Sequence, residues 1–165
     1  MNLYLYMINN TYLKYLHNID YRVSEEDKPT RKFIGVVLMI NEVRYYAPLS
    51  SPKEKHKYIR DRALDIFKIH NNELGVINLN NMVPVPECAL IRFNINDEDE
   101  DYRNLLKKQM VFIRNKKEAI IKKAEKLYKI VKSGKQPKLN SRCCDYIMLE
   151  KYYNNFELAE VAATE

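Results

Sequence analysis

The sequence has no tryptophan, three glycines and three cysteines in 165 residues. So few glycines exclude the loops that cradle nucleotide phosphates: neither G-x-x-x-x-G-K-[ST] nor G-x-G-x-x-G occurs. Cys88, Cys143 and Cys144 are odd in number and include an adjacent pair, a poor disulfide framework that fits a reducing compartment. They lack C-x-x-C spacing and the three histidines are scattered, which argues against zinc. No segment approaches the ~20 apolar residues that span a membrane. The stretch from Met1 to Met7 has no basic start and is too short for a signal peptide. The expectation is a cytoplasmic protein with no membrane partner and no cofactor, in which any catalysis is metal-independent.

Hydrophobic residues make up 46% and charged residues 30%, a globular composition, and the length suits one domain with a real core. The formal net charge is +6 and the pI is about 9.1, which suggests an anionic partner: nucleic acid, membrane surface or acidic protein. Thirteen tyrosines can stack on bases and reach phosphates, or serve as half-buried packing. The charge is uneven. Residues 102–138 hold thirteen Lys or Arg against two acids, an excess of eleven. A solvated helix face is one reading; so concentrated a field favours an anion-binding surface.

Leu3, Leu5 and Met7 alternate with Tyr4 and Tyr6, which predicts a half-buried strand. Asn9 or Asn10 then caps a helix with Tyr12, Tyr15, Leu16 and Ile19 on one face; His17 lies off it, on the surface. Asp20 to Lys32 is a polar loop whose Arg22, Lys28, Arg31 and Lys32 can close over a ligand or merely connect. Phe33 to Ile40 is a continuous apolar run, read as a central strand buried on both faces. Gly35 leaves room there for close packing against the backbone. Asn41-Glu42 turns into a partner strand, Val43 to Leu49. Further strands are expected in Ala63–Ile69, which alternates in its second half, and over Leu74–Leu79 and Cys88–Phe93, with Val83-Pro84-Val85-Pro86 at an edge or in a connection and His70 in a turn. The acidic run Asp97–Asp101 suits a helix start better than a metal cluster. Two basic helices follow, broken at Asn115-Lys116-Lys117 and closed by Gly134. A last helix is expected over Leu139–Phe156, with a frayed end at 159–165.

The stretch after the hairpin carries the chemistry. In Leu49-Ser50-Ser51-Pro52-Lys53-Glu54-Lys55-His56, Ser51 reads as a helix N-cap, Pro52 as the first helical residue and Glu54 as the reciprocal partner of a capping box. Such a start offers free N–H groups to an anion, and Lys53, Lys55 and His56 add charge. The alternative is a solvated, lysine-rich turn. Serines, lysines and arginines on a basic protein suit one reaction without metal. The 2′-hydroxyl of RNA attacks the adjacent phosphodiester in line, while positioned cations and donors stabilise the charge on phosphorus. The products are a 2′,3′-cyclic phosphate and a 5′-hydroxyl.

Lys32 to Leu38 followed by Tyr45-Tyr46-Ala47-Pro48-Leu49-Ser50-Ser51-Pro52-Lys53 resembles the signature of the ToxN/AbiQ family of type III toxin–antitoxin toxins. Leu74 to Leu79 with Met82 to Val85 resembles its middle strands, and Gln109 to Arg114 its long helix. The resemblance spans nearly the whole chain. It implies one α+β domain over 1–165: a strongly twisted antiparallel sheet of about six strands, related to the Kid/MazF fold, surrounded by helices. It also implies an endoribonuclease that cleaves cellular or phage RNA. Its inhibitor would be a repeat-derived RNA pseudoknot, alternating with toxin in a closed assembly. The family's catalytic hydroxyls and lysine fall on Ser50, Ser51 and Lys53. Arg31 stands where relatives carry lysine, and its fixed charge makes it a poor proton shuttle. His56 is the candidate for proton transfer. A loop tyrosine of the family is missing near Asp27-Lys28; Tyr21 or Tyr45 replaces it, or the contact is not needed. Candidate RNA-binding residues are Arg22, Lys28, Lys32, Tyr45, Lys55, Lys107, Arg114, Lys116, Lys117 and Lys123. The rival readings are a non-catalytic nucleic-acid-binding regulator and a module for acidic proteins.

Overall fold

The computed structural model describes residues 2–24, 31–91 and 93–156. Lys28 and the expected frayed end lie outside them. Strands β1 (Tyr4–Ile8), β2 (Phe33–Ile40), β3 (Val43–Ser50), β4 (Phe67–Ile69), β5 (Gly75–Ile77), β6 (Val83–Pro84) and β7 (Leu90–Ile91) form one mixed-length sheet. Its order is β4-β5-β3-β2-β1-β7, with β6 also on β3, and every pairing is antiparallel. The fold is thus α+β, and its seven strands among the described residues, two of them only two residues long, agree with the expected sheet of about six.

The β2–β3 hairpin is the spine. Asn41 and Glu42 both take positive φ, 49° and 69°, the two-residue turn whose twist matches the flanking strands. Asn accepts that conformation readily and Glu less so. A Cβ on Gly35 would overlap the Tyr46 ring, so the glycine is what lets β2 and β3 approach there. The run Phe33–Ile40 is buried on both faces only in its first part, because Met39 projects to solvent at the hairpin end. β3 shares one edge between two short strands: Tyr45 and Tyr46 pair with β6, whereas Leu49 and Ser50 pair with β5. Pro84 is tolerated because β6 is so short.

Helix α1 (Asn10–Ile19) starts where Asn9 Oδ1 accepts from Tyr12 N, as the sequence indicates. α2 (Glu100–Asn115) is capped by Asp99, so the acidic run is a helix start. α3 (Lys117–Ser133) ends at Gly134, whose φ of 69° suits glycine. Its Ile120, Ala124, Leu127 and Val131 are buried, and α3 packs on β2. Each fully buried aliphatic side chain contributes ~1.5–3 kcal/mol.

The single last helix is corrected to two, α4 (Pro137–Arg142) and α5 (Tyr146–Tyr152). Backbone groups in the break find other partners. Cys144 N donates to Asn80 O (2.9 Å) and Asp145 N to the buried Asp20 carboxylate (2.6 Å), while Asp145 caps α5. The expected strand over Cys88–Phe93 shrinks to β7, preceded by a single 3₁₀ turn at Glu87–Ala89. His17 is not simply solvated: its Nδ1 lies 2.8 Å from Val23 O. The cysteines are free thiols, with Cys143 and Cys144 buried and Cys88 exposed. Among the described residues no helix is long and apolar enough to cross a membrane.

Candidate active site

Three strands deliver side chains to the end of β3. Phe33 pairs with Pro48, so the residues before β2 run alongside the end of β3. Arg31 Nη2 donates to Ser50 Oγ at 3.0 Å, and its Nε reaches Leu49 O at 3.4 Å. From the exit of β5, Asn78 Nδ2 donates to the same Ser50 Oγ at 2.7 Å, while Asn78 N is held by Pro48 O. With two donors on its oxygen, the Ser50 hydroxyl has its proton left to give. Gly75 fixes this end from below. Its φ is 110°, and a Cβ there would overlap the Ser50 carbonyl.

The chain then leaves the sheet. The capping box does not form: a 3₁₀ helix, Glu54–Tyr58, starts after Lys53, and no side chain caps it. Pro52 lies outside that helix, and Lys53 between them is extended. The expected helix N-terminus as an anion site is therefore replaced by a side-chain site. Ser51, Lys53 and Lys55 are exposed on this turn. The turn is anchored at Lys53 O, which accepts from His56 N (3.0 Å) and from Asn72 Nδ2 (3.2 Å). His56 lies beneath, only 3% exposed. Its Nδ1 is shut in without a partner, which leaves Nε2 as the nitrogen able to meet a substrate. Burial, then Lys55, Lys53 and Lys68, push its pKa below 6.5, so the ring is neutral at pH 7.

Hydroxyl, amide and guanidinium thus meet at Ser50, and the turn carrying Lys53 and His56 follows directly in the chain. The family model of the toxin ToxN of type III toxin–antitoxin systems matches residues 4–154. The chain belongs to this family. The endoribonuclease ToxN of Pectobacterium atrosepticum is 34% identical over 161 residues, 92% of this chain and 92% of that protein. A solved structure from a bacterial antiviral system regulated by a processed non-coding RNA is 33% identical. It superposes with TM-score 0.84 over 94% of this chain and 98% of that one. Another, of a type III system with selective toxin inhibition by a non-coding RNA pseudoknot, is 29% identical. Its TM-score is 0.82 over 95% of this chain and 99% of that one.

In this ToxN-family chain the remaining candidates separate. Tyr45 is buried: its hydroxyl donates to the Glu150 carboxylate, which Tyr128 also meets at 2.7 Å. It cannot stack on a base, nor replace the missing loop tyrosine, whereas Tyr21 is 77% exposed. Lys32 is 2% exposed, paired to Glu98 at 2.6 Å and set over the Phe93 and Tyr102 rings. Arg22 is spent on Asp20 (2.9 Å) and Asn140 O (2.9 Å). Tyr45 and Lys32 hold the fold together and leave the RNA-facing set, whereas Arg22, though paired, keeps a quarter of its side chain exposed. Lys107 and Arg114 line a groove of about 680 Å³ with Leu5, Phe93 and Val111. Lys116 and Lys123 line a different cleft, and Lys117 is half-buried at the start of α3. Sequence reasoning missed Asn78, Asn72 and Gly75. Their one signal was an asparagine at the end of an apolar strand and a glycine in a chain with three.

Proposed function

We propose that the protein is the toxin endoribonuclease of a type III system, cutting single-stranded RNA without a metal. The observation that carries this is Ser50 Oγ, fixed by Arg31 and Asn78; an exposed Lys53 and a neutral His56 follow three and six residues on. Arg31 and Lys53 neutralise the scissile phosphate, and Ser50 and Ser51 donate to its non-bridging oxygens. His56 Nε2 takes the proton of the 2′-hydroxyl as that oxygen bonds to phosphorus. The P–O5′ bond breaks, and the 5′-oxygen takes a proton from solvent. A 2′,3′-cyclic phosphate and a 5′-hydroxyl result.

Regulation by RNA follows from the second cationic surface. The Lys107–Arg114 groove, with Tyr4 beneath the Arg114 guanidinium (6.0 Å), offers charge and a stacking ring to a pseudoknot antitoxin. The toxin would alternate with such RNA units in a closed assembly, in the cytoplasm. Family membership supports this reading.

End-labelled single-stranded RNA tests it, with cleavage and affinity measured on the same variants. Lys53→Ala and Ser50→Ala should each lose roughly 10²–10³-fold in cleavage while keeping most RNA affinity. Wild-type protein that binds RNA yet yields no cyclic-phosphate product would instead be a regulator.

A further inference from the structure

α2 turns two faces outward. Lys107, Val111 and Arg114 face the groove already described, whereas Phe112 and Lys116 face a separate cleft of about 340 Å³. Phe67 and Phe112 stand 6.4 Å apart at 57°, and the His70 ring lies 6.2 Å from Phe112 at 49°. Cations complete the lining. Lys123 Nζ is fixed by Asp61 O and Ile66 O, both at 3.0 Å, and lies 5.4 Å over the Phe67 ring. Lys68 pairs with Asp61 at 3.3 Å, and Lys116 is exposed on the rim. Aromatic surfaces under ammonium groups match the two halves of a nucleotide.

The register ties one rim residue of this cleft, Lys68, to the active site, whereas Phe67 is in line with Ile77 and Leu49. Lys68 pairs with Val76, and Val76 pairs with Ser50. Residues in line across antiparallel strands point to one face, and two strand spacings put Lys68 about 10 Å from Ser50. Lys68 also belongs to the field that holds His56 neutral.

We propose that the cleft between Phe67, Phe112 and Lys116 is a nucleotide subsite, which stacks the base of one residue flanking the scissile bond and so sets sequence preference. The proposal rests on the nuclease reading above. It concerns substrate, not antitoxin, because its rim residue Lys68 lies across two strand pairings from Ser50.

The test uses short single-stranded RNAs in which each position around the cut is made abasic in turn. For wild type, one flanking position should lower kcat/KM by about 5- to 150-fold, the range of one lost base–aromatic stack. Phe112→Leu, which keeps bulk but not the ring, should cut intact and abasic RNA at the same reduced rate. Lys116→Ala and His70→Asn, both at exposed positions, should shrink the same penalty, and they decide the matter if Phe112→Leu does not fold. An undiminished penalty in the folded variants overturns the subsite and leaves the nuclease standing. Wild type that cuts no RNA removes the nuclease reading and the subsite with it.

Discussion

At the residue scale, His56 has its role set by where the chain buries it. A free imidazole titrates near 6.5; here desolvation and three lysines favour the neutral ring. A base must be deprotonated to act, so kcat/KM should rise with pH through a midpoint below 6.5 and then level off. His56→Gln should flatten that acid limb; an unchanged limb in the variant would remove His56 from the proton path. The same shift has a sign for stability. The unfolded chain holds the proton more tightly than the folded one. His56 therefore contributes fully above 6.5, and its contribution is lost as pH falls through the folded value. Thermal melts of wild type should fall with acid more steeply than those of His56→Gln. Ser50 has the opposite economy: its oxygen is saturated by Arg31 and Asn78, and only its proton is available.

At the element scale, β5 is three residues long, yet it positions both Asn78 and the Ser50 carbonyl. Gly75 makes that possible. Gly75→Ala would force a Cβ into the Ser50 carbonyl at a φ of 110°. It should destabilise the fold by about 1–3 kcal/mol and reduce cleavage further than the stability loss explains. Denaturant midpoints and rates on the same sample separate the two; a stable, fully active Gly75→Ala would mean the corner tolerates displacement. Elements were legible wherever a local signal was strong. The apolar run of β2, a cap at Asn9 or Asn10, the acidic helix start at Asp97–Asp101 and the Gly134 stop of α3 all read from the sequence. Signals that depend on distant partners did not. Ser51 carries a capping motif, but the chain is extended at Lys53 and uses Asn72 to hold Lys53 O. The Leu139–Phe156 pattern is helical throughout, but Asp20 and Asn80 draw the backbone at Cys144 and Asp145 out of it. Lys32 and Tyr45 looked accessible because sequence position says nothing of the partners that bury them. Arg31 and Ser50 were found by family pattern, and the hydrogen bond between them came only with the register of β2 on β3.

At the scale of the whole molecule, the excess of eleven positive charges over residues 102–138 is divided. α2 sends Lys107 and Arg114 to a large groove, and Lys116, just past its end, lines the smaller cleft. A long structured RNA covers more of this surface than a short substrate does, so the two should differ in salt dependence. Each phosphate contact releases counterions, and log K falls with log[salt] by ~0.7–0.9 per contact. The double variant Lys107→Ala/Arg114→Ala should therefore lower the slope for a pseudoknot antitoxin by roughly 1.4–1.8. Cleavage of a short oligonucleotide should be unchanged, since neither residue contributes to the Ser50 corner. Binding isotherms over a series of potassium chloride concentrations, beside initial rates on the oligonucleotide, measure both quantities. If the antitoxin slope stays at the wild-type value while oligonucleotide cleavage falls, the groove serves substrate and the two RNAs compete for one surface. If the slope falls and cleavage holds, inhibition and catalysis use separate cationic faces of one helix. A repeat RNA gripped on one side of α2 would then block the corner on the other by covering it, without changing the geometry around Ser50.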